Sequence, residues 1–212
     1  MDIAENLKAL QKSLTNEVVL VAVSKTKTNA DILQAYNSGQ RIFGENKVQE
    51  LVQKQEELPK DIQWHMIGHL QSNKVKYIAP FVSLIHGVDS LKLLREISKR
   101  AAQNKRIIDC LLQVHIATES SKFGFGINEL EDTLIAVQEF KNINIKGLMG
   151  MATFTNDRTQ IRKEFSSLRM VFNQIKTHQI NTLSIGMSGD YQIAIENGST
   201  MIRIGSAIFG AR

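Results

Sequence analysis

The amino-acid sequence predicts an α/β fold: a single (β/α)8 barrel with an extra helix at its N-terminus. Three observations carry that prediction. The first is the run Val18-Val19-Leu20-Val21-Ala22-Val23, six apolar residues in succession. A continuous apolar run, rather than an alternating one, marks a strand buried on both faces, as in parallel sheets. The second is strict alternation: eight such strands, with a helical segment after each of the first seven, imply a parallel sheet. The third is continuity. The 212 residues hold two prolines and no linker or low-complexity tract, so positions 1–212 read as one domain. Eight β/α units in a chain of this length point to a closed barrel. An open doubly wound sheet is the alternative, and it usually has fewer strands in one domain.

Each element has a local reason. Residues 2–15 read as an amphipathic helix, with Ile3, Leu7, Leu10 and Leu14 at helical spacing. After the first strand, Thr28 and Asp31 give a capping-box start to a helix that ends near Gly39. Arg41-Ile42-Phe43-Gly44 is the second strand and runs into Glu45-Asn46; a polar helix follows to Leu58, where Pro59 closes it. The third strand covers 62–68, a short helix 72–79, and the fourth strand 82–88. Asp89 and Ser90 can cap the next helix, which carries Leu94, Ile97 and Ala101 on one face and ends near Asn104. The fifth strand is expected over 107–116, a helix over 128–140 and the sixth strand over 145–151. The helix 157–177 places Ile161, Phe165, Leu168, Phe172 and Ile175 on one side. Thr182-Leu183-Ser184-Ile185 is the seventh strand, 191–197 a short helix and 200–204 the eighth strand.

Composition narrows the function. Hydrophobic residues are 42% and charged residues 22%, the balance of an ordinary globular protein. One cysteine, Cys110, excludes an intrachain disulfide, and its place in an apolar run marks a buried, inert thiol. The N-terminus lacks the basic start and apolar core of a signal peptide, and no apolar segment approaches a membrane span, so the cytoplasm is the expected compartment. The net charge of +5 favours an anionic ligand. It is not gathered into a basic run with interleaved aromatics, so no nucleic-acid partner is expected. No His, Cys or Asp cluster has metal-ligand spacing, and no metal site is expected.

In a barrel the chemistry sits at the C-terminal ends of the strands. The polar residues there are, in order, Lys25, Glu45 and Asn46, Gly68-His69-Leu70-Gln71, Asp89, the loop 118–126, Thr153 and Thr155, Gly186-Met187-Ser188-Gly189-Asp190, and Gly205-Ser206. A lysine at the mouth of an apolar strand is partly desolvated, which favours the neutral amine that attacks an aldehyde. A strand-end lysine that simply reaches water is the bland alternative. The loops after strands 7 and 8 are where barrels frequently hold a phosphate. Here they offer Ser188, Gly189, Gly205 and Ser206, hydroxyls and flexible backbone N–H groups; ordinary βα turns also favour glycine and serine. Arg203 stands two residues before Gly205 and so points to the same side, into the barrel mouth. Its partner is either a carboxylate, Glu45 or Asp190, or a ligand atom. Lysine, phosphate cup and inward arginine together describe a site for a phosphorylated aldehyde: pyridoxal 5′-phosphate, or the substrate of a sugar-phosphate aldolase. His65 reads as a core histidine with satisfied hydrogen bonds. Met149, Met151 and Met187 read as barrel packing.

Five long segments carry a resemblance. Ala22-Val23-Ser24-Lys25-Thr26-Lys27, Phe43-Gly44-Glu45-Asn46-Lys47-Val48-Gln49-Glu50, Trp64-His65-Met66-Ile67-Gly68-His69-Leu70-Gln71-Ser72-Asn73-Lys74, Gly186-Met187-Ser188-Gly189-Asp190 and Arg203-Ile204-Gly205-Ser206-Ala207-Ile208-Phe209-Gly210 resemble the pyridoxal phosphate homeostasis protein family, in the same order and over nearly the whole chain. The resemblance implies the barrel of the N-terminal domain of alanine racemase. It implies that Lys25 holds pyridoxal 5′-phosphate as a Schiff base, that Ser188, Gly205 and Ser206 bind its phosphate, that Arg203 meets the pyridine nitrogen and that Asn46 lines the pocket. Lys122 matches another motif, that of a second, transient cofactor-binding lysine; a loop lysine paired with Glu119 is the simpler reading. Thr28 stands where many relatives have proline, and it starts the same helix.

Two functions are compatible with these residues: a carrier that holds the cofactor and delivers it, with apo enzymes as acceptors, or an amino-acid racemase. Racemisation needs an acid/base on each face of the α-carbon. Lys25 serves one face, and alanine racemase, by resemblance, supplies a tyrosine from a second domain across a dimer. The sequence ends at Arg212, soon after the eighth strand, so the expectation is a monomeric carrier without appreciable racemase activity and with no catalytic residue.

Overall fold

A computed structural model describes residues 2–15, 17–119 and 123–210. The chain runs α1 (Ile3–Ser13), β1 (Val19–Val23), α2 (Asn29–Asn37), β2 (Ile42–Glu45), α3 (Val48–Glu57) and β3 (Gln63–Met66). It continues through α4 (Val75–Ile78), β4 (Leu84–Val88), α5 (Leu91–Gln103), β5 (Ile108–Gln113), α6 (Leu130–Val137) and β6 (Ile143–Met149). It ends with α7 (Arg158–Ile175), β7 (Thr182–Ser184), α8 (Tyr191–Glu196), β8 (Met201–Ile204) and α9 (Ser206–Phe209). The strands form a closed barrel in the order β1 to β8. All eight pairings are parallel, and β1 closes on β8 with Val21 opposite Arg203. The predicted (β/α)8 barrel with its extra N-terminal helix is the observed fold.

Period-two alternation sorts the strand residues between two cores. Val21, Leu84, Leu111, Met149 and Met201 form a small apolar cluster inside the barrel. Their neighbours in sequence, among them Ala22, Ile85, Cys110, Leu112, Leu148 and Ile202, belong to the larger cluster between strands and helices. Each large aliphatic side chain buried there contributes about 1.5–3 kcal/mol. Cys110 is fully buried, and burial pushes its thiol up, so it is inert packing as expected. Gly147 lets β6 and β7 approach: a Cβ there would lie 1.7 Å from the Thr182 carbonyl oxygen, so only glycine fits.

The helices follow the sequence signals closely. Asp2 caps α1 by accepting from the Ala4 and Glu5 N–H groups at 2.8 and 3.2 Å. Thr28 and Asp31 form the expected capping box. Ser90 caps α5 and Asp157 caps α7, which buries Ile161, Phe165, Leu168 and Phe172. Three expectations differ in detail. The segment expected as one helix over 72–79 is a 3-10 turn, Ser72–Lys74, leading into α4. The helix expected over 128–140 likewise begins as a 3-10 turn, Ile127–Glu129, and the Glu129 carboxylate there accepts from the Gly126 N–H at 2.6 Å. A further helix, α9, follows the eighth strand. It buries Ile208 and Phe209 and packs on α1, whose Asn6 amide donates to the Ile208 carbonyl at 3.0 Å.

Candidate functional site

The site assembles at the rim where the strands end. Alternation from Val21 turns Val23 inward, and half-buried Lys25 follows in the turn that leaves β1. The end of β8 runs alongside: a Cβ on Gly205 would lie 3.3 Å from the Val23 carbonyl oxygen and 3.4 Å from the Val23 Cβ. The Gly205 N–H donates to Ser188 Oγ at 3.2 Å, which ties the loop after β7 to the end of β8. The Arg203 N–H donates to the Gly186 carbonyl at 3.0 Å, one step deeper. Asp190 folds the same loop by accepting from the Met187 N–H at 2.6 Å. Ser206 opens α9, where the Ile208 and Phe209 N–H groups donate to the Gly205 carbonyl at 3.0 and 2.9 Å and those of Ser206 and Ala207 precede the first helical bond.

On the other side of β1, the Ser24 N–H donates to the Gly44 carbonyl at 3.1 Å, and half-buried Asn46 follows β2. The turn after β3 presses on it: a Cβ on Gly68 would lie 2.5 Å from the Asn46 carbonyl oxygen, so this contact requires glycine. Lys25, Asn46, Ser188, Arg203, Gly205 and Ser206 therefore occupy the ends of β7, β8, β1 and β2, four consecutive strands of the closed barrel.

Arg203 is 3% exposed and lies inside the barrel. Its Nη1 donates to the Ser184 carbonyl at 2.8 Å and to Ser184 Oγ at 2.6 Å, and its Nη2 donates to the Gly150 carbonyl at 3.0 Å. Ser184 Oγ lies 3.1 Å from His86 Nδ1, and His86 Nε2 lies 3.0 Å from His65 Nδ1. A guanidinium only donates, so the Ser184 hydroxyl accepts from it and its own O–H is left to donate a hydrogen bond to His86 Nδ1. That leaves the His86 proton on Nε2, donated to His65 Nδ1. Both imidazoles stay neutral. Burial pushes His65 down to about 3, and burial first, then the neighbouring His65 ring and the Arg203 cation, holds His86 well below the usual range. Burial lowers Arg203 to about 10, and the Asp190 carboxylate opposes the fall, so the guanidinium is a cation at neutral pH.

Two expectations are corrected. Glu45 is not the partner of Arg203. It is one residue past inward-facing Gly44, so it points outward under α3, where it meets Lys54 at 2.8 Å and Ser24 Oγ at 2.6 Å. Met187 is not barrel packing; it is 38% exposed on its loop. Met149 is buried in the interior cluster and Met151 packs on it half-buried. His65 is the core histidine expected. Lys122 lies outside the described residues. The partners His86 and Ser184 were missed, although each stands two residues past an inward position or inside a strand, the one signal that could have found them. Lys27 was missed as well: its Nζ donates to the Phe209 and Gly210 carbonyls at 3.0 and 3.3 Å, at the C-terminus of α9.

Barrel and rim define a class before they define a family. Residues 1–212 match the family described as "Alanine racemase, N-terminal domain". The alanine racemase of Bartonella henselae shares the fold, with a TM-score of 0.79 at 17% identity over 99% of this chain and 58% of that one. Nearer relatives are more specific. A "Pyridoxal phosphate homeostasis protein" of Pasteurella multocida is 38% identical over 100% of this chain and 98% of its own length. One of Escherichia coli K12 is 37% identical over 100% and 97%. PipY of Synechococcus elongatus, solved without PLP, superimposes with a TM-score of 0.93 at 36% identity, over 98% of this chain and all of that one. The same protein with PLP bound gives 0.89 at 34%. The chain belongs to the pyridoxal phosphate homeostasis protein family. Among the described residues, no helix is long and apolar enough to cross a membrane.

Proposed function

We propose that this chain binds pyridoxal 5′-phosphate, holds it covalently on Lys25 and takes part in its homeostasis by storing and delivering it. The observation that carries the reading is one rim where a half-buried lysine meets an anion cradle above a buried arginine. The donor set suits a phosphate: the hydroxyls of Ser188 and Ser206, the Ser206 and Ala207 N–H groups at the start of α9, and the close backbone approach that Gly205 permits. Arg203 lies beneath with a fixed positive charge, and its remaining N–H groups suit an unprotonated pyridine nitrogen. Asn46 lines the pocket on the β2 side. The cofactor supplies an aldehyde, to which a primary amine attaches with loss of water. Relatives named for pyridoxal phosphate homeostasis, and PipY with PLP bound, support the same reading.

Holding rather than catalysis is favoured by Arg203. A guanidinium leaves the pyridine nitrogen unprotonated and the ring a weak electron sink, where many cofactor enzymes place a carboxylate. In this reading the protein is a monomeric cytoplasmic carrier of one domain, with apo enzymes as acceptors. The test is the visible spectrum of the purified protein with added pyridoxal phosphate, with Lys25→Ala alongside. The wild type should turn yellow, bleach with borohydride and gain a pyridoxyl mass on Lys25, and it should not invert the stereochemistry of alanine or serine. A colourless protein that retains no cofactor would overturn the binding reading. Rapid stereoinversion would overturn the carrier.

A further inference from the structure

A buried ionic cluster outside the pocket has no part in the binding just described. Glu45 is fully buried at the end of β2, and Lys54 of α3 is 5% exposed. Lys54 Nζ donates to Glu45 Oε1 at 2.8 Å, to Glu50 Oε1 at 2.6 Å and to the Ser24 carbonyl at 2.8 Å, which uses all three of its protons. Glu45 Oε1 also accepts from Ser24 Oγ at 2.6 Å, and Glu50 Oε1 accepts from the Thr26 N–H at 2.5 Å. Every one of these bonds ends on the residue before Lys25, on the residue after it, or within the cluster. Thr26 has φ +64°, a left-handed conformation that β-branched residues avoid, so the turn needs outside restraint.

Stability alone does not call for such a cluster. Two charges taken out of water are often matched or bettered by a well-packed apolar pair of the same volume. What an apolar pair cannot do is hold a backbone carbonyl, a serine hydroxyl and a backbone N–H at once. We propose that Glu45, Glu50 and Lys54 are positioning residues for Lys25: they lock the peptides on both sides of it and so set the direction in which its amine enters the barrel mouth. Lys27, anchored to the end of α9, holds the same turn from its far side.

This inference rests on the proposed attachment at Lys25, and the experiment separates the two. Wild type, Glu50→Ala and Glu50→Gln are titrated with pyridoxal 5′-phosphate and with pyridoxine 5′-phosphate, which has the same ring and phosphate but no aldehyde for an amine to attack. Glu50 is partly exposed, so neither variant opens the core. Glu50→Ala should slow and weaken covalent attachment about tenfold, the scale of one lost hydrogen bond to a charged acceptor. Its affinity for pyridoxine 5′-phosphate should be unchanged, and Glu50→Gln, which keeps an acceptor for the Thr26 N–H, should restore attachment. Attachment at the wild-type rate in Glu50→Ala overturns the inference, as does an equal loss of both ligands, which would mark a merely structural role. A wild type that never attaches the aldehyde at Lys25 overturns the proposed function, and this inference with it, before any variant is compared.

Discussion

The neutral histidine pair inside the barrel makes a quantitative acid-stability prediction. In the folded protein His65 titrates near 3 and His86 well below its ordinary value, both chiefly through burial. In the unfolded chain both return to the ordinary value of a solvated imidazole. Folded values below unfolded ones mean that the unfolded chain binds more protons under acid conditions. The contribution is therefore complete above the unfolded value and is lost as the pH falls below it. Between about pH 7 and about pH 5, His65 costs about 2 kcal/mol of stability, since each unit below the unfolded value is worth about 1.4 kcal/mol, and His86 acts in the same direction. The perturbation is His65→Gln, whose side-chain oxygen can accept the proton that His86 Nε2 donates. Urea unfolding at the two pH values isolates the effect, because carboxylates and exposed histidines are common to both proteins. The wild type should lose about 2 kcal/mol more than His65→Gln on going to the lower pH. Equal losses would refute the assignment of a buried, neutral His65. The consequence reaches function: a protonated pair would add positive charge beside Arg203 and break the chain that orients its guanidinium.

Other outcomes follow from single residues. Arg203→Ala removes a cation that makes three short bonds inside the barrel; cofactor affinity measured by equilibrium dialysis should fall about tenfold or more, the scale of a lost charged donor, and unchanged affinity would remove Arg203 from the site. Gly147→Ala forces a Cβ to within 1.7 Å of the Thr182 carbonyl oxygen; β6 and β7 must separate, at a cost of about 3 kcal/mol or more, visible as a lower melting temperature.

Much of the fold was legible because its signals are local. A continuous apolar run, an offset of three or four residues, or a serine ahead of a helix is read within a few positions of itself, and α7, with Asp157 at its start and Phe165, Leu168 and Phe172 on one side, needed nothing else. The site was legible in part for the same reason: Lys25, Ser188 and Gly205 stand at strand ends, where a barrel places its chemistry.

What the sequence determined by itself was the number and type of elements, the barrel they form and the residues presented at its rim. What only the tertiary structure decided was which side of each strand faces which partner. Glu45 and Gly44 are adjacent in sequence and face opposite sides of the barrel wall, so an expected partner of Arg203 became an anchor of the Lys25 turn. The partners Arg203 does have, the Gly150 carbonyl, Ser184 on β7 and through it His86 on β4, meet across the interior, although Ser184 and His86 stand 98 positions apart in the sequence. Alternation is a property of neighbouring residues; the register and closure that bring distant strands together are properties of the whole barrel.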